Sequence, residues 1–438
     1  MASRMSSDLF QIILRRLDAQ SRSFVDHLIC TERRRSHEAR TKAADPGRRA
    51  DRKVLPWRRP EPTYGISPAA LQEIRAKRTS FDMERRAAAE LLSELRRLAP
   101  SEWKQAVETE DRFHTLALCE LVLEASRRES FQDPQQGRRL AELGLQIARA
   151  LDSSFYRSHI VRDLCGRAWS ELGNAYRIGS DLASAERCLL KARGCLHDTY
   201  DRLEKARFLS LMAALKKDQR QFQECLKLRD QAIAIYRRYQ EPHLLGRTLS
   251  SKGSDLLEMG DPEPALACLE EAVDLIDPLA EPRIFLAAHH NLMWALVDLD
   301  RVLEASEAFS TYKKLYPEDL WSQARCHWLQ GRIAAGLGRL EQAAVALSTA
   351  RTAFQERDIP YDFALVSIEL ALVYARQGRA SEVKRLAAEM VPIFKSRQIH
   401  REALAALTLF RQAVEQETLT VGTLRKIIDR LEKAPKKA

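Results

Sequence analysis

The feature that most constrains this chain is an apolar residue, usually a small one, that recurs about every forty positions. Starting from Ala185, its equivalents follow at intervals of 40, 40, 40, 38 and 40 residues, at Cys225, Ala265, Ala305, Ala343 and Val383. A fixed period of this length is typical of repeat proteins, in which each unit stacks on its neighbours to bury its apolar face. At 438 residues the chain is too long for one compact core, but a repeat array can have any length.

The unit at 167–196 shows what each repeat contains. The spacing W-x₂-L-G-x₂-Y is present at Trp169, Leu172, Gly173 and Tyr176. These side chains share one face of a helix, and Gly173 allows a second helix to approach closely. We expect Gly179 to end the first helix and Asp181 to cap the second. Each repeat is therefore predicted to be a pair of helices.

These motifs resemble the tetratricopeptide repeat (TPR), and the resemblance covers roughly residues 112–432. The period of about 40 residues is longer than the usual 34 or so, and is similar to that of bacterial quorum-sensing regulators that bind short peptides. The resemblance implies an all-α fold, a right-handed superhelix (an α-solenoid of antiparallel helix pairs). It also implies a non-catalytic scaffold or regulatory protein that binds a partner protein or peptide in its concave groove.

Patterning divides the chain into five predicted segments. They are an N-terminal amphipathic helix in 1–35, a basic Pro/Arg-rich linker at 36–66, a helical N-terminal cap at 67–111, the TPR array at 112–415, and a C-terminal capping helix and tail at 416–438. Within the cap, separate helices are expected near 67–78, 81–98 and 101–109, the first starting at Ser67-Pro68.

The helix expected within 7–30 has an apolar stripe that needs a partner surface. It would pack on the array or on a second copy of the chain, which would give a homo-oligomer. A helix lying on a membrane surface is the alternative, but Asp18 and Asp26 leave its polar face without the usual excess of basic residues.

The net charge of +10 is concentrated in one segment. Residues 33–59 contain eleven Lys and Arg against Glu38, Asp45 and Asp51, a net of +8. A solvated linker is the simpler interpretation. The alternative is a nucleic-acid-associated protein whose phosphate contacts would be Arg33, Arg34, Arg35, Arg48, Arg49, Arg52, Lys53, Arg58 and Arg59.

The family resemblance also implies a ligand groove, lined by residues two before and one, five and eight after the position of Trp169. Applied to each repeat, these offsets give the candidates Arg167, Asn174, Arg177, Arg207, Lys217, Arg247, His290, Trp294, Arg325, Trp328 and Arg332. Seven are basic and none is acidic, which would suit an acidic peptide or a C-terminal carboxylate. The alternative is an ordinary protein-binding surface, in which the tryptophans pack between helices and the cations are neutralised by the carboxylates one residue past these offsets, Asp218, Glu258 and Asp298.

No catalytic, metal or cofactor site is predicted. The adjacent pairs His289-His290 and Cys326-His327 point in different directions on a helix, so neither forms a nucleophile and base by itself. The eight cysteines include no C-x-x-C spacing, and no apolar run is long enough to span a membrane. The sequence therefore predicts a cytoplasmic protein, and the excess of Arg over Lys suggests a bacterial source.

Overall fold

The structure is a computed structural model that describes residues 68–199 and 201–396. Within these ranges the regular elements are all helical, which confirms the all-α class. They are α1 Pro68–Arg97, α2 Trp103–Thr109, α3 Leu116–Glu129, α4 Pro134–Ala150, α5 Ser153–Tyr156, α6 Ser158–Ile178, α7 Leu182–Leu196, α8 Arg202–Asp218, α9 Phe222–Arg238, α10 Pro242–Met259, α11 Pro262–Leu275, α12 Pro282–Asp298, α13 Val302–Tyr312, α14 Leu320–Gly336, α15 Leu340–Glu356, α16 Pro360–Arg376 and α17 Ala380–Ser396.

The chain forms two compact units, divided after Gly179. The first unit contains α1 to α6, and the second contains α7 to α17. The predicted helix within 7–30, the linker at 36–66 and the closing helix at 416–438 lie outside the described residues. The segment boundaries drawn from the sequence therefore stay predictions.

In the first unit, the expected break between two helices near residue 80 was wrong. Helix α1 is continuous over 30 residues, because the stretch around Thr79 and Ser80 contains neither proline nor glycine. Helices α3 and α4 pack together as a pair, and the Asp133 carboxylate caps α4 by accepting from the backbone N–H of Gln135 and Gln136.

The second unit consists of successive helix pairs after α7, namely α8/α9, α10/α11, α12/α13, α14/α15 and α16/α17. The residues that define the forty-residue period all lie at buried positions. Their exposed fraction is 0% at Ala185, Cys225, Ala265, Ala305 and Ala343, and 4% at Val383. The period read from the sequence is thus confirmed as a packing period.

Two glycines show how closely the helices of a pair approach. A Cβ atom added at Gly253 would lie 2.5 Å from Cγ of Leu269, and one added at Gly331 would lie 2.6 Å from Cγ of Leu347. Both distances are far below van der Waals contact, so only glycine fits without displacing the leucine. The same repeat position thus sets the spacing within α10/α11 and within α14/α15.

The turn inside each pair of the second unit contains a residue with positive φ. These residues are Arg220, Gly260, Asp300, Gly338 and Gly378. Only three of the five are glycine, so the turn geometry is imposed by the packing of the pair rather than by the local sequence. Asp181 caps α7 as predicted, with its carboxylate accepting from the N–H of Ser184.

Candidate functional site

The predicted groove residues lie on α6 in the first unit and on the first helices α8, α10, α12 and α14 of consecutive pairs in the second, and none of them is fully exposed. In the second unit we call this surface the first-helix face, defined by Arg207, Lys217, Arg247, His290, Trp294, Arg325, Trp328 and Arg332. Side chains at these offsets share one side of a helix because successive offsets are three or four residues apart. The first-helix face therefore combines half-buried cations and the half-buried Trp294 with the buried side chains of His290 and Trp328.

The candidates of the first unit lie on α6. Arg167 contacts the Glu120 carboxylate at 3.4 Å, and both side chains are 13% exposed. Arg177 donates from Nη2 and Nε to Oδ1 of Asn174, at 2.9 and 3.2 Å. The Asn174 amide, expected to hold a ligand backbone, is thus oriented by a residue one turn away on its own helix.

In the second unit, ion pairs join the first helices of neighbouring helix pairs. Lys217 of α8 contacts Glu258 of α10 at 3.1 Å, and Arg247 of α10 contacts Glu281, which precedes α12, at 3.0 Å. We call these two pairs the ion-pair row. Arg207 contacts Glu204 on its own helix at 3.2 Å. These three cations of the first-helix face are therefore already matched by carboxylates.

A deeper ion pair lies behind the ion-pair row, between α9 and α10. Nε of Arg229 is 3.0 Å from Oδ2 of Asp255, and the two side chains are only 8% and 2% exposed. The same oxygen accepts from Sγ of Cys225 at 3.2 Å. Burial and the Asp255 charge raise the pKa of the Cys225 thiol to about 12, so it stays protonated.

Farther along the second unit, aromatic rings replace the ion-pair row. We define the aromatic cluster as His290, Trp294, Tyr316 and Trp328. The Trp294 and Trp328 rings meet edge to face with centroids 4.9 Å apart, and the imidazole of His290 lies 5.7 Å from Trp294 and 5.9 Å from Tyr316.

Arg332 and Glu369 hold the aromatic cluster in place. The Arg332 guanidinium lies over the Trp294 ring, 4.3 Å from its centroid, and contacts Asp298 at 2.6 Å and Glu369 at 3.2 Å. Nε1 of Trp328 donates to the second oxygen of Glu369 at 2.6 Å. Burial raises the pKa of Glu369, while Arg332 and the Trp328 hydrogen bond oppose that shift.

Two polar side chains, one beside the aromatic cluster and one within it, are only partly matched by polar groups of the described residues. Burial lowers the pKa of Arg325, while the charges of Asp362, Tyr316 and Glu258 oppose that shift. The Arg325 guanidinium lies 5.8 Å from the centroid of the Trp321 ring. Nδ1 of His290 is 2.7 Å from the Tyr316 hydroxyl, while its Nε2 is buried without a hydrogen-bond partner in the described part of the chain. Burial, followed by the charges of Arg325 and Arg332, lowers the pKa of His290 well below its usual value.

Sequence reasoning anticipated part of this electrostatic matching. Glu258 and Asp298 neutralise Lys217 and Arg332, as the alternative interpretation of the groove expected. Glu281, Glu369 and Tyr316 were missed, because they fall outside the groove offsets. For Lys217, Arg247 and Arg332 the usable signal was a carboxylate 34 to 41 residues later in the sequence.

The Cys326-His327 pair is held in its neutral form, so the thiol is not a thiolate nucleophile at neutral pH. Burial raises the pKa of the Cys326 thiol to about 11 and lowers that of His327. Among the described residues, no group of three or more His, Cys, Asp or Glu side chains is arranged to hold a metal ion. The arrangement of the first-helix face suits binding.

The remaining site candidates lie outside the described residues. These are the basic residues Arg33, Arg34, Arg35, Arg48, Arg49, Arg52, Lys53, Arg58 and Arg59, so the nucleic-acid alternative stays a prediction, as does a homo-oligomer formed through the helix within 7–30. Across the described ranges, no helix combines the length and the apolar character that a membrane span requires.

Comparisons with known proteins give one family match and several similar solved structures. Residues 204–276, which cover α8 to α11, match the tetratricopeptide repeat family. Among solved structures, aspartyl phosphate phosphatase F from Bacillus subtilis is similar at 18% identity, covering 82% of this chain and 97% of that one with a TM-score of 0.42.

Two further solved structures are similar at the same level. A tetratricopeptide repeat protein from Parabacteroides merdae has 14% identity, covering 61% of this chain and 98% of that one, with a TM-score of 0.39. The apo form of the quorum sensor NprR from B. thuringiensis has 14% identity, covering 74% and 99%, with a TM-score of 0.44. No curated protein matches the sequence.

Proposed function

We propose that this chain, which contains tetratricopeptide repeats, is a non-catalytic binding scaffold or regulatory protein that holds a segment of a partner protein or a peptide along its first-helix face. The supporting observation is the set of polar and aromatic side chains, half-buried or buried, that lies on the first helices of successive helix pairs and is linked by ion pairs between them.

The rigidity of this face favours binding. The ion-pair row fixes Lys217 and Arg247 against neighbouring helices, and Glu369 fixes Trp328 and Arg332. Side chains that are already ordered lose little entropy when a ligand binds, so a larger share of the contact energy appears as affinity. We infer that the bound segment is acidic, since Arg325 lies on this face without an ion-pair partner among the described residues.

The experiment is to fill the first-helix face with a bulky side chain at an exposed position. Ala287 lies on α12, three residues before His290 on the same side of the helix, and is exposed. Full-length wild-type protein and Ala287→Trp are used as baits in extract of the cells that produce the protein, and captured proteins and peptides are quantified by mass spectrometry. We expect the partner to be lost from Ala287→Trp.

The matched control is Val345→Trp, because Val345 is 69% exposed on α15, the second helix of its pair. This variant should capture the partner as well as the wild type does. Equal capture by Ala287→Trp and the wild type would exclude the first-helix face as the binding surface. Recovery of nucleic acid that is lost at high salt and on deletion of 33–59 would instead support the nucleic-acid alternative.

A further inference from the structure

The α8/α9 pair differs from the later helix pairs of the second unit in how it contacts its neighbours. We call the contact of a pair with the helix that precedes or follows it a joint, so α8/α9 has one joint with α7 and one with α10. Each of these two joints contains an ion pair, and the two positions of that ion pair hold two leucines in the other joint.

The joint with α10 contains the Arg229–Asp255 pair. Nε of Arg229 lies 3.0 Å from Oδ2 of Asp255, and the side chains are 8% and 2% exposed. In the repeats that share the forty-residue period, both positions are otherwise buried and apolar. Their residues are Leu189, Leu269, Phe309, Leu347 and Ala387 for Arg229, and Ala175, Leu215, Ala295, Ile333 and Val373 for Asp255. Arg229 and Asp255 are thus the exception at these positions.

The joint with α7 contains a second polar network, centred on Lys216. Its Nζ donates at 3.1 Å to Oε1 of Glu186 on α7 and at 3.1 Å to the side-chain oxygen of Gln219. Nε2 of Gln219 donates to the other carboxylate oxygen of Glu186, also at 3.1 Å. The Lys216 side chain is only 12% exposed. Its equivalents in the forty-residue period are uncharged, namely Tyr176, Leu256, Leu296, Ala334 and Tyr374.

The joint between α11 and α12 has no charge at the same four positions. They hold Leu266, Leu269, Ala295 and Leu296, which are at most 5% exposed and belong to one hydrophobic cluster. Separating these side chains would expose apolar surface to water. Separating an ion pair instead returns hydration to both charges, which compensates for much of the lost attraction. The two joints of α8/α9 should therefore open at a lower free-energy cost than the joint between α11 and α12.

We propose that the α8/α9 pair is the opening segment of the second unit, which separates from α7 and α10 while α10 to α17 stay packed. The two helices move together, because α8 and α9 pack closely against each other. Opening breaks the contact between Lys217 of α8 and Glu258 of α10, so it removes one ion pair of the ion-pair row. The opening needs no ligand and does not depend on the proposed function.

The experiment is native-state hydrogen exchange of the full-length protein without ligand, followed by mass spectrometry of peptic fragments. We expect the amides of α8 and α9 to exchange roughly 10- to 100-fold faster than those of α11 and α12, because their opening costs less free energy. The test variant is Arg229→Leu/Asp255→Leu, which gives the joint with α10 the residue type that Leu189 and Leu215 provide in the joint with α7. It should slow the exchange of α8 and α9 roughly 10- to 100-fold.

A second test variant, Glu186→Leu/Lys216→Leu, replaces the network of the joint with α7 in the same way. It should also slow the exchange of α8 and α9, by a smaller factor, because Glu186 is 40% exposed and the gain in burial is smaller. The matched control is Asp230→Leu/Lys252→Leu, which removes an ion pair between α9 and α10 in which Asp230 is 58% exposed. The control should leave the exchange rates unchanged. Thermal unfolding checks that each variant keeps its fold.

The outcomes decide the proposal as follows. Faster exchange of α8 and α9 in the wild type, slowed by either test variant and not by the control, supports the opening segment. Exchange of α8 and α9 at the rate of α11 and α12 would overturn it. Fast exchange that neither test variant slows would overturn it as well, since the charged joints would then not permit the opening. The proposed function is decided separately, because the capture experiment with Ala287→Trp does not measure opening.

Discussion

The ion-pair row and the region around the aromatic cluster use the same repeat positions in different ways. Arg247 and Arg325 occupy the same offset in their repeats, but Arg247 contacts Glu281 at 3.0 Å whereas Arg325 has no ion pair among the described residues. In the aromatic cluster, Trp328 instead contacts the next pair through Glu369. The repeat thus fixes where a side chain lies, and the neighbouring repeat determines what it contacts.

The largest effect that would test this difference is expected behind the ion-pair row. Asp255→Ala leaves Arg229 buried without its carboxylate, so we expect the free energy of unfolding to fall by about 3–5 kcal/mol. The measurement is chemical denaturation followed by circular dichroism.

The control is an ion pair that joins the same two helices, α9 and α10, at the protein surface. Asp230 of α9 contacts Lys252 of α10 at 2.6 Å, but the Asp230 side chain is 58% exposed. Asp230→Ala should therefore change the free energy of unfolding by less than about 1 kcal/mol. Similar losses for the two variants would mean that burial does not distinguish these ion pairs.

A second test concerns the glycine at which the two helices of a pair approach closely, because the two regions should behave alike at this position. Gly331→Ala places a Cβ atom 2.6 Å from Cγ of Leu347, and Gly253→Ala does the same at 2.5 Å from Leu269. We expect each substitution to lower the free energy of unfolding by about 1–3 kcal/mol, because the second helix must move away.

Gly194 is the matched control, since it lies within helix α7 and a Cβ atom there would meet nothing within 4 Å. Gly194→Ala should raise the free energy of unfolding by about 0.5–1 kcal/mol, through the higher helix propensity of alanine. If Gly331→Ala also stabilised the protein, the close approach of α14 and α15 would be contradicted.

A third test uses pH, because buried histidines occur next to the aromatic cluster and not in the ion-pair row. His289 is 6% exposed and stacks on Tyr312 at 3.8 Å, and burial lowers its pKa to about 4. In the unfolded chain His289 binds a proton as the pH falls through about 6.5, whereas in the folded protein it does so only near pH 4. The free energy of unfolding therefore has its full value above about pH 6.5 and decreases as the pH falls towards 4.

We therefore expect the free energy of unfolding to fall by about 2 kcal/mol between pH 7 and pH 4.5 through His289, which denaturation at a series of pH values measures. His289→Phe should reduce this dependence, and His197→Gln should not, because His197 is 79% exposed. An unchanged pH dependence in His289→Phe would show that His289 is not the group that resists protonation.

The period made much of the fold predictable, and the contacts of the first-helix face much less so. Ala265 and Ala305 could be assigned to helix crossings from spacing alone, because a crossing accepts only a small side chain whichever repeat follows. Glu369, the second carboxylate that contacts Arg332, could not be assigned in this way, since it belongs to the next repeat and lies outside the groove offsets. The sequence of a single repeat predicts where a groove residue lies, but it does not predict which carboxylate of another repeat contacts that residue.

The smallest expected effect concerns the turns inside the helix pairs, where the two regions share a backbone conformation but not a residue type. Gly260, in the region of the ion-pair row, has φ of 83°, and Asp300, which follows α12, has φ of 61°. Gly260→Ala should lower the free energy of unfolding by about 1 kcal/mol, because a Cβ atom disfavours this conformation. Asp300→Gly should raise the free energy of unfolding by up to about 0.5 kcal/mol, because glycine adopts a positive φ without strain. The gain is small, because aspartate tolerates the left-handed region better than most residues and because glycine loses more backbone entropy on folding. Thermal unfolding of both variants measures the difference. Opposite signs would support one turn geometry imposed by pair packing, whereas a stabilising Gly260→Ala would mean that each repeat sets its own turn.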